Sequence, residues 1–292
     1  MHIPYRLKTT SILILVAVIW GTSFIAQRSV ANSLGVFLFN GFRSILGGLV
    51  LIPLIPRPWR IDKKVFALIL LVGVLMFSAS ALQQAGMKTT TAGNAAFITS
   101  LYVVLIPFIL TTVWRHHIPS MTWLCAGLAV VGVYLLSNSG PVHFSQGDGL
   151  ELVGAVFWAF HVIMVGFMAR KVDPWTLTSV QLLFSGVINL IFGFIFEAHT
   201  LPALSGSLWA IFYTGVFSFG IGFSLQAYCQ RRAPASDVAI ILSMESVFAA
   251  LFGFLILHET LHITQLVGCA LILTATLLAQ RESLTTAATP AD

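Results

Sequence analysis

The chain has 292 residues, of which 58% are hydrophobic and 9% are charged, and its formal net charge is +5. A soluble domain carries roughly 25% charged residues, so this chain could not cover itself with a water-facing surface. The composition excludes an ordinary soluble protein and predicts an all-α membrane protein.

Ten apolar segments are long enough to span a bilayer, whose hydrocarbon core requires roughly 17 to 25 residues of helix. Polar sequences such as RPWRIDKK, RHHIPS and RKVDPW separate them. We number the predicted spans 1 to 10 in chain order: residues 10–30, 34–55, 64–85, 92–113, 120–137, 148–168, 175–196, 207–228, 235–257 and 262–280.

The positive charges predict the orientation of these spans, because Lys and Arg stay on the cytoplasmic side of the membrane. With the N-terminus inside, 12 of the 15 Lys and Arg residues fall on the cytoplasmic side, Arg28 and Lys88 fall outside, and Arg43 lies within span 2. We therefore predict that both termini are cytoplasmic. The basic charge is a topology signal, and no nucleic acid is expected as a partner.

The two halves of the chain repeat one pattern. Residues 82–107 align with 225–250 at an offset of 143, and residues 17–24 align with 155–162 at an offset of 138. The pattern predicts two five-helix repeats, residues 1–140 and 141–292, with a longer loop between spans 7 and 8 than between spans 2 and 3. Because five is odd, the repeats are inverted, as in many secondary transporters, which bind substrate near the midplane.

Ionisable and polar residues within the spans are candidates for a functional site, because they are costly in a bilayer and usually face an interior cavity. Glu245 in span 9 follows Asp237 by eight residues, and Asn94 and Tyr102 occupy the matching positions in span 4. Arg43 is the available counter-charge for Glu245, and their pairing would make both structural. Alternatively, the polar stripe forms interhelical hydrogen bonds that only hold the bundle together.

Other polar and aromatic residues also repeat between the halves: Gln83 matches Gln226, Trp20 matches Trp158, and Ser23 matches His161. Together they would suit a small zwitterion, with the acid meeting an ammonium group and amide or hydroxyl donors meeting a carboxylate. The predicted substrate-binding residues are Trp20, Ser23, Gln83, Asn94, Tyr102, Trp158, His161, Gln226 and Glu245. Glu245 and His161 are also the candidates for proton coupling, since carboxyl and imidazole groups form proton relays in transporters.

The sequence HETLH, residues 258–262, matches the His-Glu-x-x-His signature of zinc hydrolases. A catalytic zinc usually needs a third protein ligand, and no His follows His262. The segment also falls between spans 9 and 10, where its two histidines would not share a helical face. We expect no metal, no cofactor and no enzyme activity. A membrane zinc metalloprotease and a passive metabolite channel remain as alternatives.

Four segments resemble the EamA-type members of the drug/metabolite transporter superfamily: WGTSF in span 1, FNGFR in span 2, TTAGNAAFITSLYVVLIP in span 4 and LSMESVFAALFGFLILHETLHITQLVGCALIL in spans 9 and 10. The resemblance covers nearly the whole chain. It implies a ten-helix, two-repeat carrier of the bacterial inner membrane, often an exporter of amino acids or related metabolites, with the aromatic amino-acid exporters as the best-fitting members.

Two positions depart from the pattern of that family. Span 9 of the relatives usually reads Leu-Glu-Pro-Val-Phe-Ala, and here Glu245 matches the acid while Ser246 replaces the proline. The replacement puts the usual kink of this helix in doubt. Asn94 stands where many relatives have a basic residue, which weakens any transfer of substrate identity.

Taken together, these features predict a secondary transporter that exports amino acids, aromatic or other neutral ones favoured, or related metabolites by alternating access. Its cavity is expected to be lined by spans 1, 3, 4, 6, 8 and 9. The expected partners are a small-molecule substrate, the lipid bilayer and coupling protons, and the chain is expected to work as a monomer.

Overall fold

The computed structural model describes residues 3–56, 61–137, 145–198, 201–257 and 262–286. Within these residues the chain is helical and contains no strand. Eight of the described helices are long and apolar enough to cross a membrane, and two shorter apolar helices, Ser120–Leu135 and Ile263–Ala279, lie where spans 5 and 10 were predicted. The expected all-α membrane fold class is confirmed.

The helices do not all coincide with single spans, since spans 4, 8 and 9 are each divided. In chain order the helices are α1 Ile3–Val30, α2 Val36–Leu51, α3 Lys63–Gly86, α4 Ala92–Ser100, α5 Tyr102–Thr112, α6 Ser120–Ser137, α7 Gln146–Met168, α8 Pro174–Phe196, α9 Leu201–Phe212, α10 Phe223–Gln230, α11 Ala235–Leu242, α12 Met244–Leu257 and α13 Ile263–Thr286. A short 3₁₀ turn, Ile52–Leu54, follows α2, and a π-helix, Tyr213–Gly222, joins α9 to α10.

Spans 4 and 9 are interrupted at nearly matching positions, near the middle of each span. The first break is at Leu101, between α4 and α5, and the second is at Ser243, between α11 and α12. The hydroxyl of Ser243 donates to the carbonyl oxygen of Ile240 at 2.7 Å, a local bond that bends helices. Span 9 is therefore interrupted at Ser243 even though Ser246 replaces the family's proline.

The five-residue difference between the repeats lies inside a helix. The apolar helix of span 3, Lys63–Gly86, has 24 residues and that of span 8, Pro202–Gln230, has 29. Only residues 197–200 separate α8 from α9, whereas residues 55–62 separate the 3₁₀ turn from α3. The predicted longer loop between spans 7 and 8 is therefore wrong. A π-helix, with its i to i+5 hydrogen bonds, takes up extra residues without lengthening the span in proportion.

The spans pack in pairs that have counterparts in both halves of the chain. Helix α2 packs against α8, and α6 packs against α13. Helix α3 packs against α7, and the π-helix and α10 pack in the same way against α1. These last two pairs, which are spans 3 and 6 and spans 8 and 1, surround the centre of the bundle together with spans 4 and 9.

Glycines allow α2 and α8 to pack closely, at positions 138 residues apart. A Cβ atom at Gly48 would lie 2.7 Å from Leu183 Cγ, and one at Gly186 would lie 2.9 Å from Ile45 Cδ1 and 3.0 Å from the Ile45 backbone nitrogen. Small residues let membrane helices approach until their backbones nearly touch. The α2–α8 contact therefore depends on the absence of side chains at these two positions.

We expect Gly186→Ala to destabilise the protein by about 1–3 kcal/mol, because overpacking forces side chains and backbone apart. The measurement is thermal unfolding of the detergent-purified protein. Gly127→Ala in α6 is the matched control, since a Cβ there meets nothing within 4 Å, and a helical Gly→Ala change is worth roughly 0.5–1 kcal/mol in the stabilising direction. Equal melting temperatures for the two variants would contradict the close packing of α2 and α8.

Candidate substrate-binding site

A small cavity, with about 40 Å³ of space for the centre of a water-sized sphere, lies at the centre of the bundle. It is bordered by spans 1, 3, 4, 6, 8 and 9, as expected, and also by span 2 through Arg43. Its lining residues are Trp20, Ser23, Phe24, Gln27, Arg43, Gln83, Thr99, Tyr102, Trp158, Val162, Ser218, Phe219, Phe223 and Glu245.

Glu245 reaches the cavity because it lies in the first turn of α12, just after the break in span 9. The phenol of Tyr102, in the first turn of α5, donates to Glu245 Oε1 at 3.1 Å, and the Ser100 hydroxyl lies 3.5 Å from the same oxygen. Tyr102 and Glu245 are matching residues of the two halves, so their bond joins the two interrupted spans across the centre. Ser100 also bonds to Ser246 at 2.7 Å.

Arg43 is buried in the wall of the same cavity without an acidic partner among the described residues. Its Nε donates to Asn40 Oδ1 at 2.9 Å, and Cζ lies 4.1 Å from the ring centre of Phe219 and 4.9 Å from that of Phe39. Its Nη1 has no hydrogen-bond partner in the part of the chain that the structure describes. The predicted charge pairing of Arg43 with Glu245 is not formed in this structure, because an amide and two aromatic faces hold the guanidinium instead.

Aromatic side chains from both halves form one wall of the cavity. The ring of Phe223 lies 4.8 Å from that of Trp20 and 5.6 Å from that of Trp158, to which it is stacked at 16°. Trp158 Nε1 donates to Gln83 Oε1 at 2.7 Å. An apolar wall fixed in this way can hold a flat or branched apolar group while the polar residues orient it.

The structure brings together six of the nine predicted substrate-binding residues and leaves three away from the lining. The six are Trp20, Ser23, Gln83, Tyr102, Trp158 and Glu245. Asn94 is partly exposed in the first turn of α4. His161 is buried behind the aromatic wall, where Nε2 lies 2.9 Å from Gln181 Oε1 and the ring meets Trp158 and Phe223 edge-on.

Gln226 is the third of these residues, and it is buried without a partner for either atom of its side-chain amide among the described residues. Its counterpart Gln83 accepts a hydrogen bond from the indole N–H of Trp158. In the other half, Trp20 is the counterpart of Trp158, but its indole N–H donates to the carbonyl oxygen of Ser218 at 3.2 Å. Ser218 lies in the π-helix, whose extra residues supply this competing acceptor. The two halves therefore use matching residues in different hydrogen bonds.

Several residues in or next to the cavity were not predicted from the sequence. Phe223 is one of 23 phenylalanines and had no distinguishing pattern. Thr99 and Ser100 precede the break in span 4, which no proline or glycine marks. Glu151 could have been found, because it is a second buried acid in a predicted span, but its position near the polar sequence SQGDG makes it look like part of a loop.

Most of the HETLH segment lies outside the described residues, namely residues 258–261. Helix α12 ends at Leu257, α13 begins at Ile263, and His262 is exposed before α13 with its backbone N–H bonded to Gln265 Oε1 at 2.8 Å. In the described part of the chain no three His, Cys, Asp or Glu side chains are grouped so as to hold a metal ion.

A bundle of apolar helices around a polar and aromatic cavity defines a multi-pass membrane protein with an internal binding site. The chain belongs to the EamA-like transporter family, whose model matches residues 7–138 and again residues 145–280. Membrane transport is therefore its class of function, and the expected superfamily is confirmed.

Three comparisons illustrate the likeness. An uncharacterized transporter of Archaeoglobus fulgidus is 32% identical over 91% of this chain and 83% of its own length. The uncharacterized transporter YoaV of Bacillus subtilis is 24% identical over 89% of this chain and 92% of its own. A solved crystal structure has a TM-score of 0.79 at 17% identity, covering 96% of this chain and 98% of that one, which shows a shared fold. None of these names specifies a substrate.

Proposed function

We propose that this protein is a secondary transporter that exports neutral amino acids, aromatic ones favoured, across the bacterial inner membrane by alternating access. The proposal rests mainly on the charges of the central cavity. Arg43 and Glu245 both line it, are both buried, and are not paired with each other among the described residues.

Two unpaired opposite charges in one cavity match a zwitterion. A buried charge is costly unless a partner compensates it, and a bound amino acid supplies one partner for each, its carboxylate for Arg43 and its ammonium for Glu245. The apolar side chain would then lie against the wall of Trp20, Trp158 and Phe223. This arrangement assigns Arg43 to the substrate carboxylate, a role that the sequence analysis gave to amide and hydroxyl donors.

The expected two-repeat architecture is the basis for alternating access. The two matches of the family model, the breaks in spans 4 and 9, and the glycine contacts of α2 with α8 all support inverted five-helix repeats. In such carriers one bundle rocks against the other around a fixed site near the midplane. Ten spans with both termini in the cytoplasm follow from the same repeat together with the distribution of Lys and Arg. The cavity is formed within one chain, which supports a monomer as the working unit.

The decisive experiment uses purified protein in liposomes loaded with a panel of labelled amino acids, with and without a pH gradient. We expect saturable efflux of at least one neutral amino acid and faster efflux when unlabelled substrate is present on the other side. Such trans-stimulation distinguishes a carrier from a passive channel. If no amino acid in the panel moved faster than through protein-free liposomes, the proposed substrate class would be wrong.

Glu245 is the favoured site for coupling protons, because it faces the cavity whereas His161 lies behind the aromatic wall. In the substrate-bound state the carboxylate of Glu245 would contact the substrate's ammonium group, and in the substrate-free state it would hold a proton. Release of the substrate would then be coupled to uptake of a proton. A pH gradient, acid outside, would then accelerate amino-acid efflux, and the same liposome assay measures this effect.

A further inference from the structure

A second acid, Glu151, lies buried close to the central cavity, on α7 and five residues after the start of that helix, about 8 Å along its axis. Its side chain has no measurable exposure to solvent. Oε2 accepts a hydrogen bond from the Thr99 hydroxyl at 3.2 Å, and Oε1 has no partner among the described residues. Thr99 itself lines the cavity, so a single hydroxyl separates Glu151 from the substrate site.

The space for this carboxyl group depends on a glycine. A Cβ atom at Gly86, the last residue of α3, would lie 2.8 Å from Glu151 Cγ and 3.0 Å from Oε1. Gly86 therefore leaves room for the acid where α3 contacts α7. An apolar side chain at position 151 would have no oxygen to leave without a partner, so packing alone does not explain an acid here. Ionisable residues within membrane helices are costly, and they usually mark a substrate or ion pathway.

Among the described residues, the surroundings of Glu151 contain one more acid and no buried cation. Asp148 lies one turn earlier on α7 and is also buried. Thr90, in the turn before α4, donates to Asp148, and α4 presents Thr99. The last turn of α3 presents Gly86, and the exposed Lys88 follows that helix.

Asp148 lies between Glu151 and the end of α7 that the charge distribution places outside. It accepts a hydrogen bond from the Ser145 backbone N–H at 2.7 Å, as part of the N-terminal cap of α7. Asp148, Glu151 and Thr99 thus form a sequence of oxygen-bearing side chains that leads from the outer end of α7 to the cavity wall. On the far side of the cavity wall, Ser100 and Tyr102 contact Glu245.

We infer that Glu151 is a proton-binding site on the route by which protons enter the cavity from outside. Its carboxylate takes up one proton delivered by way of Asp148 and becomes a neutral acid. The Thr99 hydroxyl, which donates to Glu151 in this structure, first turns its hydrogen towards the cavity. It then accepts the proton of Glu151 on its oxygen and releases its own hydrogen into the cavity, so one proton moves and Thr99 is unchanged. The inference rests on the proposed transport function, to which it adds the entry route of the coupling ion.

One test needs no substrate. Infrared difference spectra between acid and alkaline pH, recorded on the wild-type protein in lipid, should show the carboxyl band of a buried acid becoming protonated. Glu151→Gln should remove one component of that band, and Glu151→Asp should keep a component at a shifted frequency. Gln can still accept the Thr99 hydrogen bond, so the variant is expected to fold. If Glu151→Gln left the difference spectrum unchanged, the assignment of a proton to Glu151 would be overturned.

The second test measures coupling in the amino-acid liposomes. Glu151→Gln should keep exchange of labelled for unlabelled amino acid at equal pH within about twofold of wild type, and should lose the acceleration of efflux by an acid exterior. Normal acceleration in this variant would overturn the entry route. If no amino acid were transported at all, the proposed function would fail, and the infrared test would still decide whether Glu151 binds a proton.

Discussion

Replacing Glu245 with Gln, or Arg43 with Gln, is expected to lower the rate of amino-acid exchange at limiting substrate by at least roughly 30-fold. Removing one member of a buried charge pair costs about 2–5 kcal/mol, and each factor of ten in affinity corresponds to about 1.4 kcal/mol. Gln at 245 can still accept the Tyr102 hydrogen bond, so the loss would come from the missing charge. The measurement is exchange of labelled amino acid in liposomes.

The two substitutions should affect opposite ends of the substrate, which separates binding from a general loss of structure. With phenylalanine as the substrate, the analogues are phenethylamine, which lacks the carboxylate, and phenylpropionate, which lacks the ammonium group. Arg43→Gln should abolish the preference for phenylalanine over phenethylamine, and Glu245→Gln should abolish the preference over phenylpropionate.

The matched control is Glu197→Gln, outside the cavity. Glu197 accepts hydrogen bonds from the backbone N–H groups of Phe37 and Leu38 and so caps the start of α2. Its substitution can lower stability without changing the preference among the three compounds. If Arg43→Gln and Glu245→Gln reduced the transport of all three compounds equally, Arg43 and Glu245 would be structural residues, and the proposed orientation of the substrate would be wrong.

The membrane fold could be predicted from the sequence because it follows from the composition of the chain. It depends little on hydrophobic periodicity or on the details of the loops. Apolar segments of the required length, separated by charged turns, leave few alternatives to a helical bundle. The residues Trp20, Tyr102 and Glu245 could be found for a related reason, since they repeat at fixed offsets and polar groups in a span are rare. These signals depend on residue type and chain position alone.

The features that could not be predicted depend on backbone geometry. The offset difference of five residues located an insertion between positions 181 and 226, but only the structure shows that it enters span 8 as part of a π-containing helix. The same geometry explains Gln226. Repeat matching predicted a role equal to that of Gln83. In the structure the π-helix brings the Ser218 carbonyl oxygen to Trp20, and Gln226 has no partner among the described residues.

The contrast between Gln83 and Gln226 predicts opposite effects on stability for one kind of substitution. An unpartnered buried amide costs about 1–3 kcal/mol, so Gln226→Met should raise the melting temperature of the purified protein. Gln83→Met should lower it, because Trp158 Nε1 would lose its acceptor. Met has nearly the length of Gln and adapts to irregular spaces, so both substitutions change polarity with little change in volume.

Transport should fall in both variants despite their opposite effects on stability. If the repeats exchange conformations between the inward-facing and outward-facing states, Trp20 would donate to Gln226 in the state opposite to this one, and Trp158 would leave Gln83. Removing an acceptor worth about 1–3 kcal/mol in one state shifts the balance between the states roughly 5- to 150-fold. Gln226→Met should therefore be more stable than wild type and yet exchange substrate more slowly. A variant that was both stabilised and fully active would show that Gln226 takes no part in the opposite state, and the exchange of hydrogen bonds between the halves would be ruled out.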